Sequence, residues 1–178
     1  MAKRWFDFCV ALLALAVFLP AFIVLSLAIF YEDGRPIFFR QTRIGYKLDE
    51  FTMFKFRSMR GGRITRVGGW LRSTGLDEIV QFFHVLQGTM SVVGPRPLTE
   101  SDLIRLGWFD RENQRFKVKP GVTGLSQLYA GRNVRVSRFL DETYVKKHSL
   151  WMDMKIIILS FAINILGKKR IRALLSNK

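Results

Sequence analysis

Residues 71–98 read LRSTGLDEIVQFFHVLQGTMSVVGPRPL, and the rest of the chain is most easily understood from this stretch. Ser73, Thr74 and Gly75 are cap-type residues, so the spacing predicts a helix whose first turn carries the adjacent carboxylates Asp77 and Glu78. Free N–H groups and the helix dipole favour negative charge there, and a metal or phosphate could be met at the same place. Thr74 and Asp77 also have the spacing of a capping box with Asp in place of Glu, so simple capping is the plainer explanation of the pair. Arg96 adds weight to the first explanation. Its two proline neighbours fix φ on both sides and keep the residue extended, offering a guanidinium on a stiff backbone, which suits forked recognition of phosphate. Carboxylate pair, rigid arginine and the apolar N-terminus together point to a phosphate-handling site at a membrane.

The composition agrees. The chain has 178 residues, enough for one domain with a core and an appendage. It carries 29 Lys and Arg against 14 Asp and Glu, a formal charge of +15 and a pI near 10.6. Such a balance calls for an anionic partner: nucleic acid, anionic lipid or a phosphorylated substrate. A hydrophobic content of 49% with 16 Phe argues against a simple soluble nucleic-acid binder and fits lipid. The single cysteine, Cys9, sits in an apolar run, can form no intrachain disulfide, and reads as a small buried hydrophobe. His84 and His148 have no companions at zinc-ligand spacing.

From Trp5 to Phe30 the only charge is Asp7. As one straight helix, at about 1.5 Å per residue, this run would cross a bilayer core of roughly 30 Å. Pro20 near its middle predicts a kink or break after Leu19, and basic residues flank both ends (Lys3 and Arg4; Arg35, Arg40, Arg43 and Lys47), so the charge bias assigns the ends to no particular sides. A re-entrant helix-break-helix that dips into one leaflet and a spanning helix both remain open; a signal peptide lacks a small-residue cleavage site. Further on, Ile37–Gly45 and Phe51–Arg57 read as a β-hairpin, with Lys55 and Arg57 on the face opposite Phe54 and Phe56. Arginines recur through Ser58–Arg72 among glycines that interrupt any long helix, a pattern that tracks phosphates or headgroups. Glu100–Lys119 reads as a polar helix or loop carrying Arg105, Arg111, Arg115 and Lys117. In Lys119-Pro120-Gly121-Val122-Thr123-Gly124 the second glycine would let the backbone approach a ligand. A helix is predicted over Val136–His148 with Phe139, Leu140, Thr143 and Tyr144 on one stripe. Ile156–Leu166 is too short to span and reads as an interfacial or core-packed helix, led by Trp151 and trailed by Lys168, Lys169, Arg170 and Arg172. The fold class expected is α+β, mainly helical, with a re-entrant membrane segment at 1–31 and a catalytic domain at 32–178 on the membrane face, bearing amphipathic interfacial helices.

Taken in order, Lys3-Arg4-x-x-Asp7, the Leu19-Pro20 break, Phe38-Phe39-Arg40-Gln41, Lys55-Phe56-Arg57-Ser58-Met59, Leu76-Asp77-Glu78, Gly94-Pro95-Arg96-Pro97 and Lys119-Pro120-Gly121-Val122-Thr123-Gly124 resemble the monotopic phosphoglycosyl transferases, the bacterial sugar transferase family. The resemblance covers nearly the whole chain, whose length resembles that of members consisting of the catalytic domain alone. It implies transfer of a phosphosugar from a UDP-sugar to polyprenol phosphate, with Mg²⁺ and release of UMP, at the cytoplasmic face of the bacterial inner membrane. That is the first membrane step of glycans such as O-antigen or exopolysaccharide. It implies Asp77 as the nucleophile forming a phosphosugar-aspartate, Glu78 as its partner, and both as metal ligands. It further implies Lys55, Arg96, Arg132, Asp141 and Asp153 as substrate-binding residues, anionic membrane lipid as a partner, no nucleic acid, and room for a homodimer. The sequence departs from the pattern at Gly61-Gly62, where a longer acidic loop is usual, between Arg132 and Asp141, which is short, and at Val80, where a proline is usual. The alternative is a basic membrane-anchored protein that binds anionic lipid or nucleic acid without catalysis; it gives no reason for Asp77-Glu78 or a rigid Arg96.

Overall fold

The computed structural model describes residues 1–110, 112–130 and 133–166. Its architecture is α+β and mainly helical, as expected from the sequence. The helices are α1 (Ala2–Asp33), α2 (Arg66–Thr74), α3 (Gln81–Gln87), α4 (Glu100–Leu106), α5 (Val134–Lys147) and α6 (Leu150–Leu166). Between them lie three two-stranded sheets: the antiparallel hairpin β1 (Phe38–Ile44) and β2 (Glu50–Phe56), the small hairpin β3 (Met59–Arg60) and β4 (Arg63–Ile64), and the parallel pair β5 (Ser91–Val93) and β6 (Gly121–Thr123).

The apolar helix α1 runs unbroken through Pro20, so of the kink or break expected after Leu19 the break does not occur. At about 1.5 Å per residue its 32 residues extend roughly 48 Å. Both ends are fastened to the same globular body. Near the start, Arg4 donates to the carbonyls of Val85 and Leu86, and Asp7 accepts from the Ser91 hydroxyl at 2.8 Å and the Val92 N–H at 3.2 Å. At the far end Glu32 accepts from the N–H groups of Arg66 and Val67 at 2.8 and 2.9 Å, capping the free start of α2 with a carboxylate, while Asp33 pairs with Arg57. Ala11, Leu25 and Ile29 are buried between these anchors, and Leu12, Leu13, Val17, Leu19, Ile23, Val24 and Leu27 are exposed on the outer side. Cys9 is also exposed rather than buried, because the packed face of α1 passes through Asp7 and Ala11.

Three clusters form the interior. Val85, Met90, Val92, Val93, Leu128, Tyr144 and Ile156 join α3, β5, α5 and α6; Leu25, Ile29, Phe56, Leu71 and Ile79 join α1, β2 and α2; Ile44, Leu103, Trp108 and Phe116 close the third. His84 belongs to this framework: its ring stacks on Phe54 and its Nε2 accepts the Phe54 N–H at 3.1 Å, while burial lowers its pKa and keeps it neutral. On α5 the buried positions are Asp141 and Tyr144, whereas Phe139 of the expected stripe is exposed. Helix α6 buries Ile156 and Ile163 and exposes Trp151, Ile158 and Phe161, so it is at once core-packed and apolar outside; the basic residues 168–172 lie outside the described residues.

Glycines shape two junctions. A Cβ on Gly121 would lie 2.0 Å from the Gly94 nitrogen and one on Gly124 2.2 Å from the Gly94 carbonyl oxygen. The second glycine of the Pro-Gly motif therefore admits the protein's own β5 strand end, not a ligand. The turn Gly61-Gly62 has φ of 54 and 80° and closes β3 onto β4, after which α2 starts on the Thr65 cap, whose hydroxyl accepts from the Gly68 N–H. The two glycines within α2 differ sharply in what surrounds them. A Cβ on Gly68 would fall 2.1 Å from the Ser58 carbonyl oxygen, whereas the nearest atom to one on Gly69 is 3.8 Å away. Gly69→Ala should therefore raise stability by up to about 1 kcal/mol through helix propensity, and Gly68→Ala should lower it by more than about 2 kcal/mol through backbone overlap. Thermal unfolding of the two variants side by side checks this.

Candidate active site

Asp77 and Glu78 lie on a single 3₁₀ turn, Leu76–Glu78, entered from Gly75, whose φ of 74° ends α2. Thr74 belongs to α2, and its hydroxyl bonds back to the carbonyls of Trp70 and Leu71. It caps nothing downstream, so the capping-box reading fails: the left-handed Gly75 separates the two elements. The carboxylate pair therefore stands on a tight turn without a side-chain cap of its own, half-buried and facing cations.

Those cations arrive from three other elements. Lys55 of β2 places Nζ 3.6 Å from Glu78 Oε1, and Arg96 places Nη2 3.2 Å from the same oxygen. Arg43 of β1 stands close enough to raise the energy of both other cations. Burial holds the Lys55 ammonium and the Arg43 guanidinium below their ordinary pKa; Glu78 opposes this in both, and the neighbouring positive charges reinforce it. Asp77 is shifted the other way: burial, with Glu78 beside it, raises its carboxyl above the ordinary aspartate range, and Lys55 and Arg72 partly compensate. Arg43 also meets Asp102 at 3.9 Å, so Lys55 and Arg96, which share a single Glu78 oxygen, are the cations whose pairing phosphate oxygens would complete.

Arg96 keeps its position through its neighbours. Pro95 and Pro97 are buried while Arg96 is exposed, and consecutive carbonyls of the segment are each held: Pro95 by the Gly121 N–H at 2.9 Å, Arg96 by the Arg115 guanidinium, Pro97 by Arg43 Nη1 at 3.4 Å and Leu98 by the Ile44 N–H at 2.9 Å. Proline contributes no N–H, so carbonyls are what the fold can grip.

Beside the carboxylates opens a cleft of about 570 Å³ between α1 and α6. Val10 and Phe18 of α1 and Ile157 and Phe161 of α6 form apolar walls, and Glu78 and Arg96 stand at its polar end. The cleft thus joins the exposed apolar helices to the charged turn.

The site residues read from the sequence divide into two groups. Asp77, Glu78, Lys55 and Arg96 come together. Arg132 lies outside the described residues. Asp141 is buried and paired with Arg115 at 3.6 Å, one residue removed from the charged turn, and burial raises its pKa against the pull of Arg115. Asp153 is fully enclosed, 2.9 Å from Lys3 Nζ and 2.8 Å from the Tyr144 hydroxyl, so its carboxylate ties α6 to α1 and is shielded from any ligand. Two further cations belong to the site's surroundings. Arg43, a basic flank of the apolar run in the sequence, shares a strand face with Gln41 by alternation and donates to its Oε1 at 2.6 Å. Arg115, read as part of a polar segment, is buried against Trp108, with its guanidinium 5.1 Å from the ring.

Among the described residues no group of three or more His, Cys, Asp or Glu forms a metal cage. Two adjacent carboxylates, Asp77 raised in pKa by burial and then by Glu78 beside it, are still a donor set that suits Mg²⁺, which is usually held by one or two carboxylates together with substrate phosphates.

The sequence profile described as bacterial sugar transferase matches residues 1–167. The chain belongs to the bacterial sugar transferase family. Among its relatives, the UDP-glucose:undecaprenyl-phosphate glucose-1-phosphate transferase of Xanthomonas campestris pv. campestris is 36% identical over 95% of this chain and 40% of the relative. The enzyme of the same name from Caulobacter vibrioides is 36% identical over 89% of this chain and 67% of the relative. The UDP-N-acetylgalactosamine-undecaprenyl-phosphate N-acetylgalactosaminephosphotransferase of Aeromonas hydrophila is 34% identical over 87% of this chain and 41% of the relative. The chain spans about 40% of the length of most of the curated relatives it matches. This bacterial sugar transferase domain therefore carries its charged turn and apolar cleft within the matched region.

The raised pKa of Asp77 has a consequence for stability. The folded state binds a proton at Asp77 more tightly than the unfolded chain does, so its contribution to stability falls as pH rises from the ordinary aspartate range through the folded value, and the penalty persists above it. Asp77→Asn should consequently raise the melting temperature at neutral pH, and the gain should vanish at pH values below the ordinary aspartate range. A melting series across pH for the two proteins measures this.

Proposed function

We propose that the protein transfers a phosphosugar from a UDP-sugar to polyprenol phosphate, releasing UMP, as the first membrane step of glycan assembly. The observation that carries this reading is the cleft whose walls are apolar helices and whose end is the Glu78–Arg96 pair: a lipid tail and a phosphate head fit its two halves. The names of the relatives, which act on UDP-sugars and undecaprenyl phosphate, point the same way.

In this mechanism an Asp77 carboxylate oxygen attacks the β-phosphorus of the UDP-sugar. The bond from that phosphorus to the bridging oxygen breaks, UMP departs with the oxygen, and a phosphosugar ester remains on Asp77. A phosphate oxygen of the polyprenol phosphate then attacks the same phosphorus, breaks the ester and restores the carboxylate. Dividing the transfer in this way lets a soluble donor and a membrane-held acceptor use one site in turn. The elevated pKa of Asp77 reflects a poorly solvated carboxylate, which is also a more reactive one. Glu78 bridges Lys55 and Arg96 and so fixes the two cations that would grip phosphate oxygens. Arg43 adds a third charge to that grip. Mg²⁺ held by Asp77 and Glu78 would supply charge neutralisation for the diphosphate.

The seat of the protein follows from α1. A helix joined at both ends to one polar body cannot leave those ends on opposite sides of a bilayer, which supports a monotopic protein sunk in a single leaflet, with its basic body on the cytoplasmic face among anionic headgroups.

Purified protein supplied with polyprenol phosphate, Mg²⁺ and a panel of UDP-sugars should release UMP from at least one donor, and EDTA should stop it. Asp77→Asn should lower the rate by at least about a thousandfold, as loss of a nucleophile does, while remaining membrane-bound. Undiminished UMP release by that variant would remove Asp77 from the role, and absence of release from every donor would favour a binding protein. In a Cys9→Ser background, Ala2→Cys and Arg35→Cys should react with an impermeant thiol reagent from the same side of sealed vesicles; reaction from opposite sides would establish a spanning helix.

A further inference from the structure

The buried guanidinium of Arg115 has no place in the reaction described above, although few side chains are more costly to enclose. It lies on the 3₁₀ turn Gln114–Lys117, with only 5% of its side chain exposed. A buried arginine is retained only where pairing and hydrogen bonds offset its loss of water. Here it meets four partners: the Asp141 carboxylate at 3.6 Å and the main-chain carbonyl of Arg96, both through Nη2, and the rings of Trp108 and Phe116, while Nη1 has no hydrogen-bond partner among the described residues. The carboxylate and the rings hold the guanidinium in place, and the carbonyl is what it holds. Asp141 in turn comes from α5, so one ion pair connects that helix to the phosphate-facing arginine.

The carbonyl of Arg96 is the only one from Pro95 to Leu98 whose hydrogen bond comes from a side chain that is itself fully packed. The Pro95 and Leu98 carbonyls are bound by strand N–H groups, and that of Pro97 by the longer contact with Arg43. The Arg96 peptide unit therefore depends on Arg115 for its orientation, and the direction of the Arg96 side chain over Glu78 depends on that peptide unit. A lysine at position 115 would keep the charge opposite Asp141, but it has no planar face to lie on Trp108, so the nitrogen that meets both Asp141 and the Arg96 carbonyl would sit on a flexible stem and lose its fixed place.

We infer that Arg115 is a positioning residue that sets the phosphate-binding Arg96 through its main-chain carbonyl, and that Asp141 acts by holding Arg115 and has no contact with substrate. This deepens the proposed function and rests on it only for the identity of the phosphate ligand.

The test is a double-mutant cycle on the full chain in detergent, using inorganic pyrophosphate binding as the probe and UMP release as a second readout. Arg96→Ala and Arg115→Lys should each weaken pyrophosphate binding by about ten- to a hundredfold, the range for one charged hydrogen bond. The double variant should bind no more weakly than Arg96→Ala alone, because Arg115 has nothing left to position. Asp141→Asn should weaken binding in the same non-additive way. Multiplying losses in the double variants, or native binding by Arg115→Lys, would overturn the inference, as would failure of the native chain to bind pyrophosphate. Where Arg115→Lys is too unstable to purify, Trp108→Phe, which keeps a ring under the guanidinium, serves as the milder partner in the same cycle. Pyrophosphate binding with the expected coupling but no UMP release from any donor would sink the transfer reaction and leave the Arg115–Arg96 arrangement standing.

Discussion

A single ammonium, that of Lys3, lies 2.9 Å from both Asp7 and Asp153 and thereby joins the start of α1 to the start of α6. Asp7 extends the connection to Ser91 and Val92 at the head of β5, and Tyr144 of α5 closes it from the other side of Asp153. Charges in such a place are stable only because each is matched, and removal of one would leave the others unpaired. Their effect is to place the two most apolar helices of the chain next to each other, with a gap between them. That gap is the cleft, and Glu78 of the carboxylate turn lines it together with Arg96. The far end of α1 is secured separately, through Glu32 and Asp33, so the helix has no freedom to swing away from the body.

The charged turn is built on an opposite imbalance. At the α1–α6 junction a lysine satisfies two acids, whereas at Glu78 both Lys55 and Arg96 converge on one carboxylate oxygen with Arg43, itself paired with Asp102, close by, and burial makes Lys55, Arg43 and Asp77 all less comfortable in their charged forms. An incomplete set of charges on a rigid frame suits a ligand that brings negative charge of its own. Rigidity comes from the two buried prolines and from the carbonyl grips on either side of Arg96. The same substructure explains the glycines of the Pro-Gly motif, which let β6 pass against Gly94 closely enough for the Gly121 N–H to reach the Pro95 carbonyl.

Much of this was legible in the residues. Alternating aromatic and β-branched residues identified the β1–β2 hairpin and put Lys55 and Arg57 on the face opposite Phe54 and Phe56. The Asp77-Glu78 pair and the Arg96 held between prolines were visible as a local pattern, and the family resemblance placed them in one site. What the sequence misled on was of a different kind. Cys9 looked buried because its neighbours are apolar, but only one face of α1 packs on the body, through Asp7 and Ala11, and Cys9 lies off it. Gly124 looked like a ligand contact because glycine admits close approach, and the approaching backbone turned out to be the chain's own. Asp141 and Asp153 fitted a substrate-binding pattern, yet both are enclosed and paired with basic residues distant in sequence.

By itself the sequence determined what depends on near neighbours: strand alternation, proline stiffness, the length of the apolar run and the adjacency of the two carboxylates. These follow from backbone geometry and side-chain chemistry within a few residues. Only the tertiary structure decided which cation meets which acid. Lys3 with Asp153, Arg115 with Asp141 and Arg96 with Glu78 are joined across 150, 26 and 18 positions, and in a chain so rich in arginine and lysine no local rule selects among the available partners. The selection is made by burial, because a charge taken out of water must find its counterpart wherever the packing of α1, α5 and α6 has brought one.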